Sequence, residues 1–308
     1  MSALNYARLS RKPSLFRSFT GLEVSEFDEI YRKIASRYDE YERRRLSKGK
    51  KRKRDVGAGH PFKLKLGDRV IMLHVYYRLY ITYPLAGFLF GLDQSNVCRD
   101  IHMLEPLVKE CVPLPKKIYN IARRARTIEE VERYFPGFKA FIDASEQEIP
   151  RPKNKRRRKS HYSGKKKKHA VKTQYMVNAD GLIIHKTNHQ KGRKHDYAIL
   201  KENSPETPEQ VERYVDLGYK GVQNDFPDAE WTIPVKKRRK RKLTRKERRY
   251  NRKVARKRVK VERAISRVKK FNIMGNRFRN RLKHYDDASD IVCGLVNFRT
   301  MWSKGIVL

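Results

Sequence analysis

Apolar positions in the first half of the chain recur at helical spacing. Phe27, Ile30, Tyr31 and Ile34 fall at i, i+3, i+4 and i+7 behind Ser25, a residue suited to capping, and predict a helix within a charged segment reaching to about residue 54. A basic run from Arg43 to Arg54, followed by Gly57, Gly59 and Pro61, reads as a hinge. From Lys63 to Glu110 the apolar residues become dense. Asp68 to Tyr80 reads as one helix, Tyr83 to Phe90 as a short second, and Gly91 with Leu92 as a turn. Asp93 is placed to cap a third helix, from Gln94 to about Leu104, which Pro106 is expected to end. Val97, Ile101 and Leu104 form its inner stripe, and Gln94, Ser95, Asn96, Arg99, His102 and Met103 are left for other faces. Two short helices around a tight glycine turn, the second polar at its outer N-terminal end, describe a helix-turn-helix. An ordinary helical hairpin with a solvated face shares that pattern.

Further along, Thr127 and Glu130 have capping-box spacing ahead of a helix over Ile128 to Tyr134, and the period then shortens toward two. Ala140 to Ile142 reads as a short strand closed by Asp143. His169 to Val177 and Leu182 to Thr187 read as a hairpin around Asn178, Asp180 and Gly181. A helix over His195 to Glu202, a strand over Val211 to Asp216 before Gly218 and Gly221, and a strand over Trp231 to Val235 follow. A long helix starts at the capping box of Thr244 and Glu247, with Val254, Val261, Ile265 and Val268 as its buried stripe. The last helix, about Asp286 to Trp302, is expected to bury Ile291, Leu295, Phe298 and Trp302. This order predicts a mixed α/β, ribonuclease-H-like domain over 136–308, preceded by a helix-turn-helix region over 61–135 and a helical region with a basic linker over 1–60.

Charge narrows the class of partner. The 308 residues carry 75 Lys and Arg against 34 Asp and Glu, a formal net charge of +41, and such a chain repels itself until a polyanion neutralises it. The 38% of hydrophobic residues still supplies real cores. Cys98, Cys111 and Cys293 are far apart, which excludes a disulfide scaffold or a CxxC zinc site and fits a reducing cytosol. The N-terminus shows no apolar signal region. Val70 to Leu92 is apolar, but His74, Arg78, Thr82 and Pro84 interrupt it, so a buried helix pair is expected there instead of a membrane span.

Because acids are scarce, their positions carry information. Asp143 and Asp216 close predicted strands, and Glu262 lies on the long helix among Arg258, Lys260, Arg263 and Arg267. Isolated carboxylates among cations serve as salt-bridge partners; three from two strands and a helix also make the all-oxygen cage that Mg²⁺ or Mn²⁺ prefers. Other chemistry finds no support. Tyr162-Ser-Gly-Lys-Lys166 lacks the first glycine and the Ser/Thr of a P-loop, and His185 and His189 sit in a predicted strand and its loop, not on a helix. The basic runs lie beside the acids, with twelve Lys/Arg between Arg151 and Lys172 and seventeen between Lys236 and Lys260. They predict a DNA track that positions phosphates, with Lys165, Lys166, Lys167 and Lys168 as contacts. Base readout falls to the helix beginning at Gln94, where Asn96 and Arg99 address adenine and guanine edges.

Several segments in order resemble the DDE transposases of insertion sequences, in the group often called the insertion-sequence five family, whose nuclease domain is shared with Harbinger transposases. They include Phe141-Ile-Asp-Ala-Ser-Glu146, Ile149-Pro-Arg-Pro152, Tyr162 to Lys166, His169 to Gln174 and Gly192-Arg-Lys-His-Asp196. Val215-Asp-Leu-Gly-Tyr-Lys-Gly221, Arg258-Val-Lys-Val-Glu262, Lys269-Lys-Phe271, Phe19 to Leu22, Glu26-Phe27 and Thr82 to Arg99 continue the match. The resemblance implies that Asp143, Asp216 and Glu262 are the catalytic and metal-binding carboxylates, in that order. It also implies two Mg²⁺ or Mn²⁺ ions, with Arg258 and Lys269 beside the glutamate as DNA-binding residues. Related proteins often carry a tyrosine where Ala255 stands here. Asp196 also matches a family motif, and either caps the helix that follows or competes with Asp216 as second ligand. The implied activity is cleavage at mobile-element ends and joining of the 3′-hydroxyl ends to target DNA. The partner is double-stranded DNA, bound by a homodimer in the cytoplasm at the nucleoid. A catalytically silent, domesticated DNA-binding protein of the same fold is the alternative.

Overall fold

A computed structural model describes residues 3–47, 59–203, 205–239 and 241–307. It divides into two compact units, one of residues 1–112 with 270–273 and one of residues 113–269 with 274–308. Most of the expected basic hinge, including Gly57, lies outside the described residues.

The first unit is all helical: α1 (Tyr6–Ser10), α2 (Pro13–Thr20), α3 (Val24–Ser47), α4 (Leu66–Leu79), α5 (Tyr83–Phe90) and α6 (Gln94–Cys111). Ser25 lies inside α3 and does not cap it, because the Glu26 carboxylate accepts from the Glu23 backbone N–H at 2.7 Å and takes that role. Helix α4 is apolar around its whole circumference and buried from Arg69 to Tyr77, packed by α2, α3, α5 and α6. Among the described residues no helix is long and apolar enough to cross a membrane. Helix α6 runs on through Pro106 to Cys111 instead of stopping near Leu104. Pro106 faces outward while Leu107, Val108 and Cys111 are buried, so the burial of a further turn outweighs one missing backbone hydrogen bond.

His74 is fully buried in this unit, its Nδ1 donating to the Val70 carbonyl at 2.8 Å and its ring edge-on to Phe27. Burial lowers its pKa from 6.5 to about 4. Only the unfolded chain therefore binds a proton there between these values, and stability present above pH 6.5 is lost as the pH falls toward 4. The loss is about 3 kcal/mol. We expect the difference in unfolding free energy between the wild type and His74→Leu to shift by about that amount between neutral pH and pH 4, measured by denaturant titration of the 1–112 unit's signal.

The second unit contains α7 (Pro115–Ala122), α8 (Ile128–Tyr134), β1 (Lys139–Glu148), α9 (Lys155–His161), β2 (Tyr162–Ser163), β3 (Lys168–Asn178), β4 (Ile183–Lys186) and β5 (Gln190–Lys191). It continues with α10 (Asp196–Asn203), β6 (Glu212–Tyr214), α11 (Val222–Asp225), β7 (Trp231–Thr232), α12 (Arg245–Lys269) and α14 (Tyr285–Lys304), and the short α13 (Asn272–Gly275) is divided between the two units. β1 and β4 flank β3 antiparallel, and β6 and β7 extend the sheet parallel to β1. This is a ribonuclease-H-like arrangement, preceded by an all-α helix-turn-helix region. Helices α7 and α8, grouped by sequence with that region, pack Ile118, Ala122, Val131 and Tyr134 into the core with Ile142, Met176, Ile184 and Leu200. Asn297 on α14 closes the outer edge of β4 by donating to and accepting from the Ile183 backbone at 2.9 and 2.8 Å. Ile265 is half-buried, and Trp302, expected in the core, is 49% exposed because Phe298 shields only one of its faces by stacking.

Candidate active site

Strand β1 is longer than its sequence suggests, and Asp143 sits in its middle, not at its end. The reason is β3, nine of whose eleven residues pair with β1 from Ala140 to Glu148 and carry it past the point where its apolar run stops. On the other side, β6 pairs with β1 only from Lys139 to Phe141, in parallel register with Phe141 opposite Tyr214. Two residues beyond that pairing on each chain stand Asp143 and Asp216. Parallel strands in register point equivalent residues to the same face, so the two carboxylates emerge together where the sheet opens. Asp216 then starts a single 3₁₀ turn, its Oδ1 accepting from the Gly218 N–H at 2.7 Å. A Cβ at Gly218 would come within 2.8 Å of that oxygen, which gives the glycine a reason to stand there.

The electrostatics of Asp143 are those of a carboxylate short of counter-charge. Burial pushes its pKa up to about 6, Arg258 opposes that shift, and the charges of Asp216 and Asp196 add to it. Arg258 Nη2 lies 3.2 Å from Asp143 Oδ2, and the Ala144 N–H donates to the other oxygen at 2.8 Å. The Arg258 Nε is buried without a hydrogen-bond partner among the described residues. A single guanidinium is therefore paired with Asp143, whose carboxylate also feels the charges of Asp216 and Asp196.

Helix α12 supplies that guanidinium. Its start is fixed by Thr244 and Glu247, whose side chains cap each other's backbone N–H groups at 3.1 and 2.7 Å. Its rotation is fixed by buried Val254, Val261, Ala264 and Val268. Arg258, Glu262 and Lys269 follow at helical spacing along one flank of that stripe. Glu262 is exposed. Burial and the neighbouring Lys166 lower the pKa of Lys269, while Glu146 and Asp143 act against that. Arg258 and Lys269 thus both interact with Asp143, and Lys166 lies near Lys269. Lys165, Lys166 and Lys167 lie on the exposed turn between β2 and β3, and Lys168 is paired with Glu148 at 2.7 Å.

Asp196 is the first residue of α10, one place inside the capping position, and its carboxylate is spent on buried Lys172 at 2.9 Å. Lys172 also meets Glu146 at 3.4 Å and the Lys194 carbonyl at 2.8 Å. Gln174 donates to the Asp196 carbonyl and to the Tyr219 hydroxyl, at 3.2 and 2.9 Å, and so ties α10 to the turn that presents Asp216. Sequence reading missed these supports; polar Lys172 and Gln174 within the strand expected over His169 to Val177 were the available signal. Among the described residues no three Asp, Glu, His or Cys side chains converge tightly enough to hold one ion. The donor set nevertheless suits a hard divalent cation. Asp143 and Asp216 are oxygen donors whose mutual repulsion, together with the raised Asp143 pKa, a cation would relieve.

In the helical unit, α5 and α6 meet closely. A Cβ at Gly87 would lie 2.5 Å from the Leu92 carbonyl, and Gly91 takes φ +68° to turn the chain. The inner side of α6 is pinned by Arg69 to Asp100 at 3.2 Å, by Tyr77 to Glu105 at 2.8 Å and by Tyr41 to the Met103 carbonyl at 2.6 Å. Gln94, Asn96 and Arg99 stay exposed at its outer N-terminal end, where Arg99 donates to the Asn96 amide oxygen at 2.9 Å.

Comparison with known proteins agrees with both halves. The family model described as "DDE superfamily endonuclease" matches residues 142–297, and that described as "Helix-turn-helix of DDE superfamily endonuclease" matches residues 62–114. A protein of Microchaete diplosiphon described as "Probable transposase for insertion sequence element IS702" is 30% identical over 250 residues, which is 80% of this chain and 85% of that protein. No solved structure matches the chain.

Proposed function

From the premise that the chain belongs to the DDE superfamily of endonucleases, as an insertion-sequence transposase with its helix-turn-helix, we propose that it cuts phosphodiester bonds at the ends of a mobile element and joins the freed 3′-hydroxyl ends to target DNA. The observation that carries this reading is the desolvated Asp143 beside Asp216, opposed by one guanidinium at the open edge of the sheet. Asp143, Asp216 and Glu262 are the residues that would hold Mg²⁺ or Mn²⁺. When bound, a pair of such ions lowers the pKa of an attacking water or 3′-hydroxyl and neutralises charge developing on the phosphate. The chain's own residues do the rest. Arg258 balances the charge of Asp143 from 3.2 Å, and with a cation held there its guanidinium would be free to meet a phosphate oxygen. Lys166 and Lys269 draw the backbone toward the acids, and Lys165, Lys167 and Lys168 extend that track along the β2–β3 turn. Gln94, Asn96 and Arg99 read the element end. The setting is the cytoplasm, at the nucleoid.

The direct test is strand nicking of a duplex bearing the element's terminal repeat. Nicks are expected with Mg²⁺ or Mn²⁺ and none with a chelator, and binding without nicking under every metal would favour a silent DNA-binding protein. Each chain carries one set of acids, while inserting an element requires two ends cut in concert, so two chains acting as a two-fold pair are expected. At +41 per chain, free protomers repel one another, and DNA supplies the counter-charge. Light scattering should therefore give a monomeric or polydisperse mass at physiological salt and a defined dimer on adding end DNA. One chain per DNA end at concentrations that support nicking would rule this assembly out.

A further inference from the structure

A second basic cleft, away from the three acids along β3, combines cations with an exposed aromatic ring. It encloses about 850 Å³, within the roughly 300–1,000 Å³ range of small-ligand sites. Arg151, Lys155, Arg158, Lys159 and Arg193 line it, and none of its lining residues is acidic. None of those five cations makes an ion pair among the described residues, and the Arg158 Nε is buried with no hydrogen-bond partner. Tyr162 lies within this ring of charge, 42% exposed. Its position is fixed, because β2 pairs it with His169 and the two rings meet edge to face at 5.6 Å. A Cβ on the neighbouring Gly164 would meet nothing within 4 Å, so space is open beside the ring.

We propose that this cleft binds an unpaired nucleotide of a DNA strand, with its base stacked on Tyr162 and its phosphates held by Arg158, Lys159 and Arg193. Cations alone suffice for the backbone of a duplex, whose bases are already stacked on one another. A rigid exposed ring adds affinity only where a base is free to stack on it. The placement suits a strand whose cleaved position is at the acids. Strand β3 sets Tyr175 opposite Asp143 and His169 opposite Tyr162, six residues apart, which is about 20 Å along the strand. That length corresponds to about six base steps of a duplex. The inference builds on the reading of the chain as a DNA nuclease, but it is tested by binding alone, without metal or cleavage.

The experiment compares the full chain on a blunt duplex and on the same duplex carrying a short single-stranded thymidine tail, by fluorescence anisotropy over a range of salt. The wild type is expected to prefer the tailed duplex about tenfold, in keeping with the ~1–3 kcal/mol that stacking contributes per base. Tyr162→Ala should remove that preference and leave the blunt-duplex affinity and the salt slope unchanged, whereas Tyr162→Phe should keep it. Arg193→Gln should lower the salt slope by roughly 0.7 on the tailed duplex. Tyr162→Trp supplies a readout that does not depend on the alanine variant folding, since its added emission should be quenched by the tail and not by the blunt end. No tail preference in the wild type, or unquenched Tyr162→Trp emission, would overturn the proposal; if nicking persisted, the proposed function would stand without it. Tighter, Tyr162-dependent binding of an RNA strand of the same sequence would also overturn it, by replacing the occupant.

Discussion

Asp143→Asn, Asp216→Asn and Glu262→Gln are each expected to lower metal-dependent nicking of element-end DNA by on the order of 10³-fold or more, because on the proposed function each would remove an anionic oxygen ligand and the several kcal/mol of transition-state stabilisation that depends on it. Binding should move the other way. Asp143→Asn frees Arg258 from its 3.2 Å partner and removes an anion from a cationic surface, so affinity for duplex DNA should hold or rise. Metal uptake by the wild type should also weaken below about pH 6. The metal-free Asp143 carboxyl keeps its proton up to about that pH and must release it to coordinate. Calorimetry with Mn²⁺ alone reads this without catalysis. The informative reversal is nicking retained by Asp216→Asn and lost by Asp196→Asn, which would move the second ligand to the start of α10.

The other large effect is on salt dependence. Replacing Lys165, Lys166, Lys167 and Lys168 by glutamine should weaken specific and random duplexes alike and reduce the slope of log K against log salt by roughly 0.9 for each phosphate no longer neutralised. Lys165, Lys166 and Lys167 should each give that full reduction. Lys168 should contribute least, since it is already paired with Glu148 at 2.7 Å. Asn96→Ala and Arg99→Ala should instead cost about 1–3 kcal/mol per base contact on the element end only, with the slope nearly unchanged. Titrations on both duplexes separate the two behaviours, and equal weakening on random DNA in the α6 variants would move base reading away from that helix.

Much of the fold was legible where burial leaves a period in the sequence. The helices at Leu66–Leu79, Tyr83–Phe90 and Arg245–Lys269, the hairpin of β3 and β4, and the capping boxes at Thr127 and Thr244 all stand close to their expected positions. Misreadings fall where a distant partner decides. Asp143 looked terminal because its strand's apolar run stops there, and only the pairing with β3 extends it. Helix α6 passes Pro106 because the turn beyond it is buried. Helix α9 went unseen inside a basic run, since it buries almost nothing and so shows no apolar stripe. At the candidate site, Arg258, Glu262 and Lys269 could be aligned by helical spacing. The contacts of Gln174 with Tyr219 and of Lys172 with Asp196 join residues 45 and 24 apart, and no local pattern encodes them.

The parallel pairing of β1 with β6 covers only three residues on each strand, yet it sets Asp143 level with Asp216. Tolerance to insertion should follow from that. Lengthening the connection between α10 and β6 costs little, because loop closure grows only logarithmically with length. Sliding β6 by a single residue would turn Asp216 to the opposite face. Insertions between α10 and β6 should therefore be tolerated, while changes to the two-residue spacing from Phe141 to Asp143 or from Tyr214 to Asp216 should not.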